Sequence, residues 1–294
     1  MDRNVVVIGM HRSGTSAITN AIRQLGCSIG DSADFASSSR WNVEGHWEHQ
    51  RLIELNELIL EMHGGTWFAP PRLPGDWADR RKALAMLPRL RSEFAEIYPQ
   101  AGWVWKDPRT CLTLPIWLRA WDPAPVAVMT FRHPLAVARS LAARNGFSLR
   151  HGLALWEIYN AEALWSLREL PTAIHSYEHA LEDPARFVAG LREGLARHGV
   201  ALDGSTTAAA ETLKPSLRHN APAADELGPL SQGQRRLWEH LNALAAGESP
   251  SLDRRPPRQP LATRLALFAK VPAHRRVLLT RARLRRGVGR SWRR

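Results

Sequence analysis

The fold is decided by the stretch Val5-Val6-Val7-Ile8-Gly9-Met10-His11-Arg12-Ser13-Gly14-Thr15-Ser16. Its run of β-branched residues predicts a buried strand, which ends in a loop bounded by two glycines. The segment from Ser13 to Leu25 then predicts a helix. A strand, a tight glycine loop and a helix N-terminus together predict a phosphate-binding loop, because the first backbone N–H groups of the helix point toward an anion.

The loop departs from the nucleotidase pattern Gly-x-x-x-x-Gly-Lys-Ser/Thr in the position of its cation. Thr15 stands where that pattern has lysine, and the positive charge comes earlier, at Arg12. The loop therefore suits an anionic group but departs from the form that holds a triphosphate and magnesium. A P-loop kinase or another NTPase remains the alternative interpretation.

The net charge of +12 over 294 residues is concentrated at one end of the chain. Residues 254–294 hold 14 of the 40 lysines and arginines and no acidic residue, so the preceding 253 residues carry 26 basic against 28 acidic side chains, a net of −2. The basicity belongs to a tail rather than to the domain, which argues against a fold that binds nucleic acid specifically.

Several sequence features bear on the compartment. The two cysteines form neither a disulfide framework nor a metal cluster, which suits a reducing environment. We find neither a signal peptide nor an apolar run approaching the roughly 18 residues of a membrane span. The protein is therefore expected to be cytoplasmic, and the basic tail, with leucines and other apolar residues among its arginines, suggests a peripheral contact with an anionic membrane surface or glycan.

Hydrophobic periodicity predicts an α/β fold with a doubly wound, mostly parallel sheet and helices on both faces. Further strands are predicted at 103–105, 126–131 and 172–177, and helices at 50–62, 78–98, 134–144, 148–170, 184–197 and 231–246. The rest of the chain beyond Gly204 is predicted to be irregular. We expect one domain over residues 1–253 and a basic tail, partly helical or disordered, over 254–294.

Basic clusters follow three of the predicted strands. They are the glycine loop with Arg12, the segment Lys106-Asp107-Pro108-Arg109, and Arg132-His133-Pro134 with Ser140 in the helix that follows. Because ligands of open parallel sheets bind at the carboxyl ends of the strands, these clusters are expected to meet around a ligand with several anionic groups.

These motifs resemble those of sulfotransferases. The stretch from Gly9 to Ser16 is similar to the loop that binds the 5′-phosphosulfate of the donor, in the branch that has arginine in place of lysine. Phe131-Arg132-His133-Pro134, with Ser140 eight residues after the arginine, resembles the 3′-phosphate motif. Lys106-Asp107-Pro108 resembles the strand-end lysine motif of the arginine-loop branch, and Asn42-x-x-Gly45-x-Trp47-Glu48 resembles an element of bacterial enzymes related to those that modify carbohydrates.

The resemblance implies 3′-phosphoadenosine 5′-phosphosulfate (PAPS) as donor, with no metal. The loop would hold the phosphosulfate and a second site the 3′-phosphate. The implied donor-binding residues are Arg12, Ser13, Gly14, Thr15, Ser16, Arg132, Ser140 and Arg218. Arg12 and Lys106 are the candidates for stabilising charge on the leaving phosphate oxygen, although Lys106 has the alternative of a simple ion pair with Asp107.

The acceptor hydroxyl needs a general base. Glu48 matches the glutamate that follows the loop in the arginine-loop branch, although it has the alternative role of a favourable acid at the start of the next helix. Glu44 and His46 remain open as candidates. The resemblance thus predicts transfer of a sulfonate group to a hydroxyl acceptor, with a carbohydrate or glycolipid as the expected class, and the aromatic loop from Trp67 to Trp77 is a candidate for stacking on a sugar. A non-enzymatic protein that binds membranes or anions through its tail is the remaining alternative.

Overall fold

The computed structural model describes residues 3–35, 47–214 and 226–248. Within these ranges four strands form one all-parallel sheet in the order β2-β1-β3-β4. The strands are β1 (Val5–Ile8), β2 (Val104–Lys106), β3 (Val126–Phe131) and β4 (Thr172–Ser176). The predicted fold class, a doubly wound α/β sheet, is confirmed.

The helices lie between and after the strands. In chain order they are α1 (Thr15–Gln24), α2 (Gln50–Met62), α3 (Arg81–Leu84), α4 (Leu87–Ile97), α5 (Thr110–Ala120), α6 (Pro134–Asn145), α7 (Leu149–Leu167), α8 (Tyr177–Glu182), α9 (Pro184–Arg197), α10 (Thr206–Glu211) and α11 (Gln232–Ala245). Among the residues described, none of these helices is both long enough and apolar enough to span a membrane.

The sheet is buried on both faces, as the unbroken apolar run of β1 requires. Val6 and Ile8 point into a core shared with α2, α4, α5, α7 and α11. Val5 and Val7 point into a second core, shared with α1, α8, α9 and α10. Every second side chain of β1 thus contacts the opposite helical layer, which is the alternation that a strand imposes.

The strand order places a switch point beside β1. The chain passes from β1 to β2 on one side of it and then returns to β3 on the other. Ligands of doubly wound sheets bind in the crevice at such a point, outside the carboxyl ends of the strands. The loop after β1 and the Arg132 segment after β3 both lie at this crevice, because β1 and β3 are paired from Val5–Val126 to Ile8–Met129.

Several predicted bounds differ from the observed ones by one to three residues, and in two places an element is divided or shortened by another. The single helix predicted over 78–98 is divided into α3 and α4, because Pro88 lies in the first turn of α4 and has no N–H with which to continue the bonds of α3. The strand predicted over 172–177 ends at Ser176, and Tyr177 instead begins α8.

Three helices, α5, α8 and α10, were not predicted from the sequence. Helix α5 carries Pro115 in its interior, which the sequence pattern disfavours. It is held instead by tertiary packing, with Leu114, Ile116 and Trp117 all buried. Helix α10, in the stretch expected to be irregular, begins after Ser205, whose side chain accepts a hydrogen bond from the N–H of Ala208. The predicted domain boundary at 253 and the basic tail lie outside the described residues.

Candidate anion-binding site

The loop after β1 forms an anion cradle at the start of α1. Gly14 is the residue before the helix, and it has no side chain with which to cap the helix end. The first bond inside the helix runs from Ile18 N–H to Gly14 O at 3.1 Å, so the earlier amides point out of the helix end. There is also no acidic residue in the first turn. Such an end, with its positive dipole, favours an anion.

Gly14 is required here for two reasons. Its φ is +84°, and a Cβ added to it would lie 2.0 Å from Cδ2 of Tyr177. The tyrosine ring therefore forms a wall directly against the loop. The guanidinium of Arg132 lies over the same ring, with 5.4 Å between its Cζ and the ring centroid. Tyr177 thus connects the glycine loop with the arginine that follows β3, a role that its sequence position did not indicate.

The two motifs predicted to hold separate anionic groups are in direct contact. Arg12 donates from Nε to Oγ of Ser140 on α6 at 2.8 Å. Arg132 donates from Nη1 to the backbone carbonyl of Arg12 at 3.4 Å. Burial, together with the charges of Arg144 and Arg132, lowers the pKa of Arg12 to about 10. The charged form of this guanidinium is thus less favourable in the fold than it is in water.

Backbone strain is concentrated at this site. Among the described residues, the non-glycine residues with positive φ are Arg12, at 71°, and Trp47, at 50°. Trp47 directly precedes Glu48. A non-glycine residue held in this region costs on the order of 1–3 kcal/mol, and such residues cluster where function requires them.

Lys106, at the end of β2, lies between the loop and Glu48. Its side chain is 1% exposed, and its Nζ lies 2.5 Å from Oε1 of Glu48 and 3.2 Å from Oγ of Ser16. The ion pair that Lys106 forms is therefore with Glu48, and not the one with Asp107 that was the alternative to a catalytic role. Glu48 lies one residue before His49, the residue preceding α2, and the first turn of that helix contains no acid. Glu48 therefore faces the site rather than serving as a first-turn acid of the helix.

Arg109 is the second cation of this strand end, and carboxylates surround it. Its Nε lies 2.5 Å from Oε1 of Glu57, and its Nη1 lies 3.0 Å from Oδ1 of Asp107 and 3.8 Å from Oε2 of Glu48. These charges outweigh the effect of burial and raise the pKa of Arg109. Burial raises the pKa of Glu57, while Arg109 opposes that shift.

A buried polar chain holds this network in place. Asn56, fully buried on α2, donates to Oδ2 of Asp107 at 2.8 Å. Its own Oδ1 accepts from Thr113 Oγ1 at 2.6 Å and from Trp117 Nε1 at 2.8 Å. Asn56 thus fixes Asp107, which in turn orients Arg109. A polar residue at a buried helical position was the available sequence signal, and periodicity alone passed over it.

His11 lies between the two groups of cations. It is 8% exposed, and its buried Nε2 has no hydrogen-bond partner within the ranges that the structure describes. The pKa of His11 is lowered well below its usual value. Burial is the largest cause, and the positive charges of Arg109, Arg144, Lys106 and Arg12 add to it. The imidazole is therefore neutral and has unused hydrogen-bonding capacity at the centre of the site.

The structure brings together most of the residues proposed from the sequence. Ser13, Gly14, Thr15 and Ser16 form the loop and the start of α1, where Ser13 and Thr15 are buried. Arg218, Glu44 and His46 lie outside the described residues. Of the aromatic loop, Trp77 is 2% exposed in the core, whereas Trp67 is partly exposed and lies 4.6 Å from the ring of His11, centroid to centroid.

Comparisons with known proteins give little beyond this geometry. No protein-family sequence model matches the chain, and no curated protein matches it. Among solved structures, the chain is similar to the sulfotransferase domain of the Synechococcus PCC 7002 olefin synthase, at 14% sequence identity and a TM-score of 0.41. That alignment covers 92% of this chain and 96% of the other.

Proposed function

We propose that the protein is a sulfotransferase that moves a sulfonate group from PAPS to a hydroxyl acceptor. One observation carries the proposal: Arg12 of the glycine loop contacts Ser140, and Arg132 contacts Arg12, so two anion motifs from separate strands form one continuous cradle. A ligand suited to it carries anionic groups at two points, as PAPS does with its 5′-phosphosulfate and 3′-phosphate.

The residues present fit such a donor. The loop combines a helix start that Gly14 leaves without a side-chain cap with the buried hydroxyl of Ser13, whose Oγ has no hydrogen-bond partner in the described part of the chain. Arg12 and the loop would hold the phosphosulfate, and Arg132 with Ser140 would hold the 3′-phosphate. A guanidinium suits both, because its planar fork matches the oxygens of a phosphate.

In the proposed reaction the acceptor oxygen forms a bond to sulfur as the bond from sulfur to the bridging phosphate oxygen breaks. The products are a sulfate ester and adenosine 3′,5′-bisphosphate, and the hydroxyl proton passes to a base. Negative charge grows on the bridging oxygen, so cations already in position stabilise the transition state more than the ground state. Arg12 and Lys106 are the residues for this role.

Glu48 is the proposed base. Its carboxylate is 11% exposed and is held by Lys106 and Arg109, so it is fixed beside the cation that faces the leaving group. The proposed base and the proposed charge stabiliser thus contact each other, so both would lie close to the reacting sulfur, one acting on the attacking oxygen and the other on the leaving oxygen. Glu44 and His46 remain the alternatives for this role.

The contact between Lys106 and Ser16 favours sulfonate transfer over phosphoryl transfer. Ser16 stands where the nucleotidase loop has the hydroxyl that binds magnesium. Here that hydroxyl lies 3.2 Å from the ammonium group of Lys106. A fixed positive charge of the protein thus occupies the neighbourhood in which an NTPase places its metal.

The proposal is tested by calorimetric titration of the full chain with adenosine 3′,5′-bisphosphate. We expect micromolar binding, weakened roughly 30-fold to 150-fold in Arg132→Ala, which is about 2–3 kcal/mol for charge-assisted bonds to a phosphate. Arg139→Gln is the matched control, because Arg139 lies on α6 but pairs with Glu226.

Undetectable binding, or equal binding by Arg132→Ala, would contradict the proposal. Magnesium-dependent ATP turnover would instead support the kinase or NTPase alternative. A chain lacking residues 254–294 that still transfers labelled sulfonate would dismiss the alternative of a purely membrane-binding or anion-binding protein.

The remaining parts of the proposal concern partners and location. We propose a glycan or glycolipid acceptor, a cytoplasmic location and a peripheral contact with the inner face of a membrane through the basic tail. The support is the charge distribution of the sequence, with 14 basic and no acidic residues in 254–294.

A further inference from the structure

Arg144 is a cation of the site that the donor motifs leave unused. It lies on α6 one turn beyond Ser140, so the two side chains share a face of the helix. Its Cζ lies 5.9 Å from the centroid of the Trp67 ring. The charged face of α6 therefore continues past Arg12 toward the aromatic loop.

The environment of Arg144 disfavours its positive charge, which a bound anion would stabilise. Within the described ranges its guanidinium donates to Oδ1 of the adjacent Asn145 at 2.8 Å and forms no ion pair. The pKa of Arg144 is lowered, mainly by burial. The charge of Glu48 raises it, and the charge of Arg109 lowers it further. A partly desolvated cation without an ion pair is unfavourable unless a ligand supplies the opposite charge.

Trp67 is held rigidly beside this cation. Thr66 and Ala69 pair across a tight turn, with N···O distances of 3.0 and 3.2 Å, which places Trp67 and Phe68 at the tip. The carbonyl of Trp67 accepts from Tyr159 Oη at 2.6 Å, and Nε2 of His151 lies 2.8 Å from the carbonyl of Phe68. The ring is thus a preorganised apolar surface, which lowers the entropic cost of binding.

His11 completes this surface. Its ring lies against Trp67, and its buried Nε2 has no partner among the described residues. We define the Trp67–Arg144 subsite as Trp67, Arg144 and His11. It combines an aromatic face, a cation without an ion pair and an unused hydrogen-bonding nitrogen.

Resting on the function proposed above, we infer that the Trp67–Arg144 subsite binds the acceptor, and that this acceptor is a ring compound carrying a carboxylate. Trp67 contacts the ring, Arg144 binds the carboxylate, and His11 provides a neutral hydrogen-bond partner beside the reacting hydroxyl.

The position of the subsite favours the acceptor over the donor. The guanidinium of Arg144 interacts with the charges of Glu48, the proposed base, and Arg109 on the side of β2. It also acts on Arg12, so the subsite lies between the glycine loop and Glu48. The 3′-phosphate group of residues lies instead beside β3, where Arg132 covers Tyr177. An anion bound by Arg144 is therefore placed near the proton acceptor, where the acceptor hydroxyl must lie.

The test measures transfer of labelled sulfonate by the full chain to two matched pairs of acceptors. One pair is phenyl glucuronide and phenyl glucoside, and the other is 4-hydroxybenzoate and phenol. We expect preference for the carboxylated member of at least one pair, with KM for it raised about 10-fold to 100-fold in Arg144→Gln and partly restored in Arg144→Lys. KM for the neutral member and binding of adenosine 3′,5′-bisphosphate should change less than 2-fold, and Arg139→Gln should match the unmodified protein.

The outcomes separate this inference from the function on which it rests. The pair that is used identifies the ring as sugar or phenol. Equal loss on both members of a pair, or no preference for the carboxylate, overturns the inference. If the bisphosphate binds but none of the four compounds is sulfonated, the inference fails while the proposed function stands. If the bisphosphate does not bind, the proposed function fails first.

Discussion

The two sides of the basic crevice hold their cations in opposite ways. Beside β3, Arg12 and Arg132 contact a hydroxyl and a backbone carbonyl, and burial with neighbouring positive charge lowers the pKa of Arg12 to about 10. Beside β2, Arg109 is surrounded by Glu57, Asp107 and Glu48, which raise its pKa. The charged form of the guanidinium is therefore disfavoured at Arg12 and favoured at Arg109.

This difference predicts which charges stabilise the fold and which would bind a ligand. A buried cation with its carboxylates in place is structural, since removing it leaves buried negative charges uncompensated. A buried cation whose pKa is lowered in the fold, such as Arg12, costs stability, and an anionic ligand would offset that cost. Three substitutions test the distinction, in order of expected effect.

The largest effect is expected when Arg109 is changed to Met. The carboxylates of Glu57, Asp107 and Glu48 would then lie close together without a shared cation, so we expect the free energy of unfolding to fall by about 3–5 kcal/mol. Urea unfolding followed by circular dichroism measures it. Arg12→Met is the matched variant, with a stability unchanged or increased because the pKa of Arg12 is lowered in the fold. Similar losses for both variants would remove the distinction.

A smaller effect is expected for Gly14→Ala, which tests how far the loop that contains Arg12 depends on its backbone conformation. The new Cβ would meet Tyr177 at 2.0 Å, and the residue would be held at φ +84°. We expect a loss of about 2–3 kcal/mol in the same unfolding measurement. In the double variant with Tyr177→Ala the steric part should be recovered and the strain of the positive φ should remain. Additive losses would show that the ring does not limit the loop.

The smallest effect concerns His11, between the two sides. Its folded-state pKa is lowered, so the unfolded chain takes up a proton first as the pH falls below about 6.5. The free energy of unfolding should therefore decrease with falling pH, with a contribution from His11 of at most about 1.4 kcal/mol per pH unit. Comparing His11→Gln with the unmodified protein between pH 7 and 5 measures this contribution. A steeper slope in the variant would contradict the assignment.

Sequence patterns predicted the sheet and the glycine loop because both depend on local order. The apolar run of β1 must be buried on both faces of the sheet. Gly9 and Gly14 bound the segment that follows this strand, and glycines placed there are typical of a tight loop. The strand-end clusters were also visible, since the carboxyl ends of parallel strands share one edge. Arg12, Lys106, Arg132 and Ser140 were placed together for that reason.

What the sequence could not supply is the pairing among these charges. The sequence leaves two interpretations of Lys106, a catalytic role or an ion pair with Asp107. In the structure Lys106 contacts Glu48, which is 58 positions away in the chain. Asp107 is held instead by Asn56 and Arg109. Such partners depend on how α2 packs on α5, and no local pattern records that. Helix α5 was missed for a related reason, because tertiary burial outweighs the local effect of Pro115.

Because Arg12 has a left-handed backbone conformation, selection for stability and selection for activity should favour different residues at this position. At a φ of 71° a glycine or an asparagine would be accommodated more easily than an arginine. Either change would also remove a desolvated charge. A laboratory screen that rewards only thermal resistance should therefore enrich replacements at this position, and the enriched chains would lose the residue that joins the two anion motifs. Position 12 is thus where a more robust fold and a working site exclude each other.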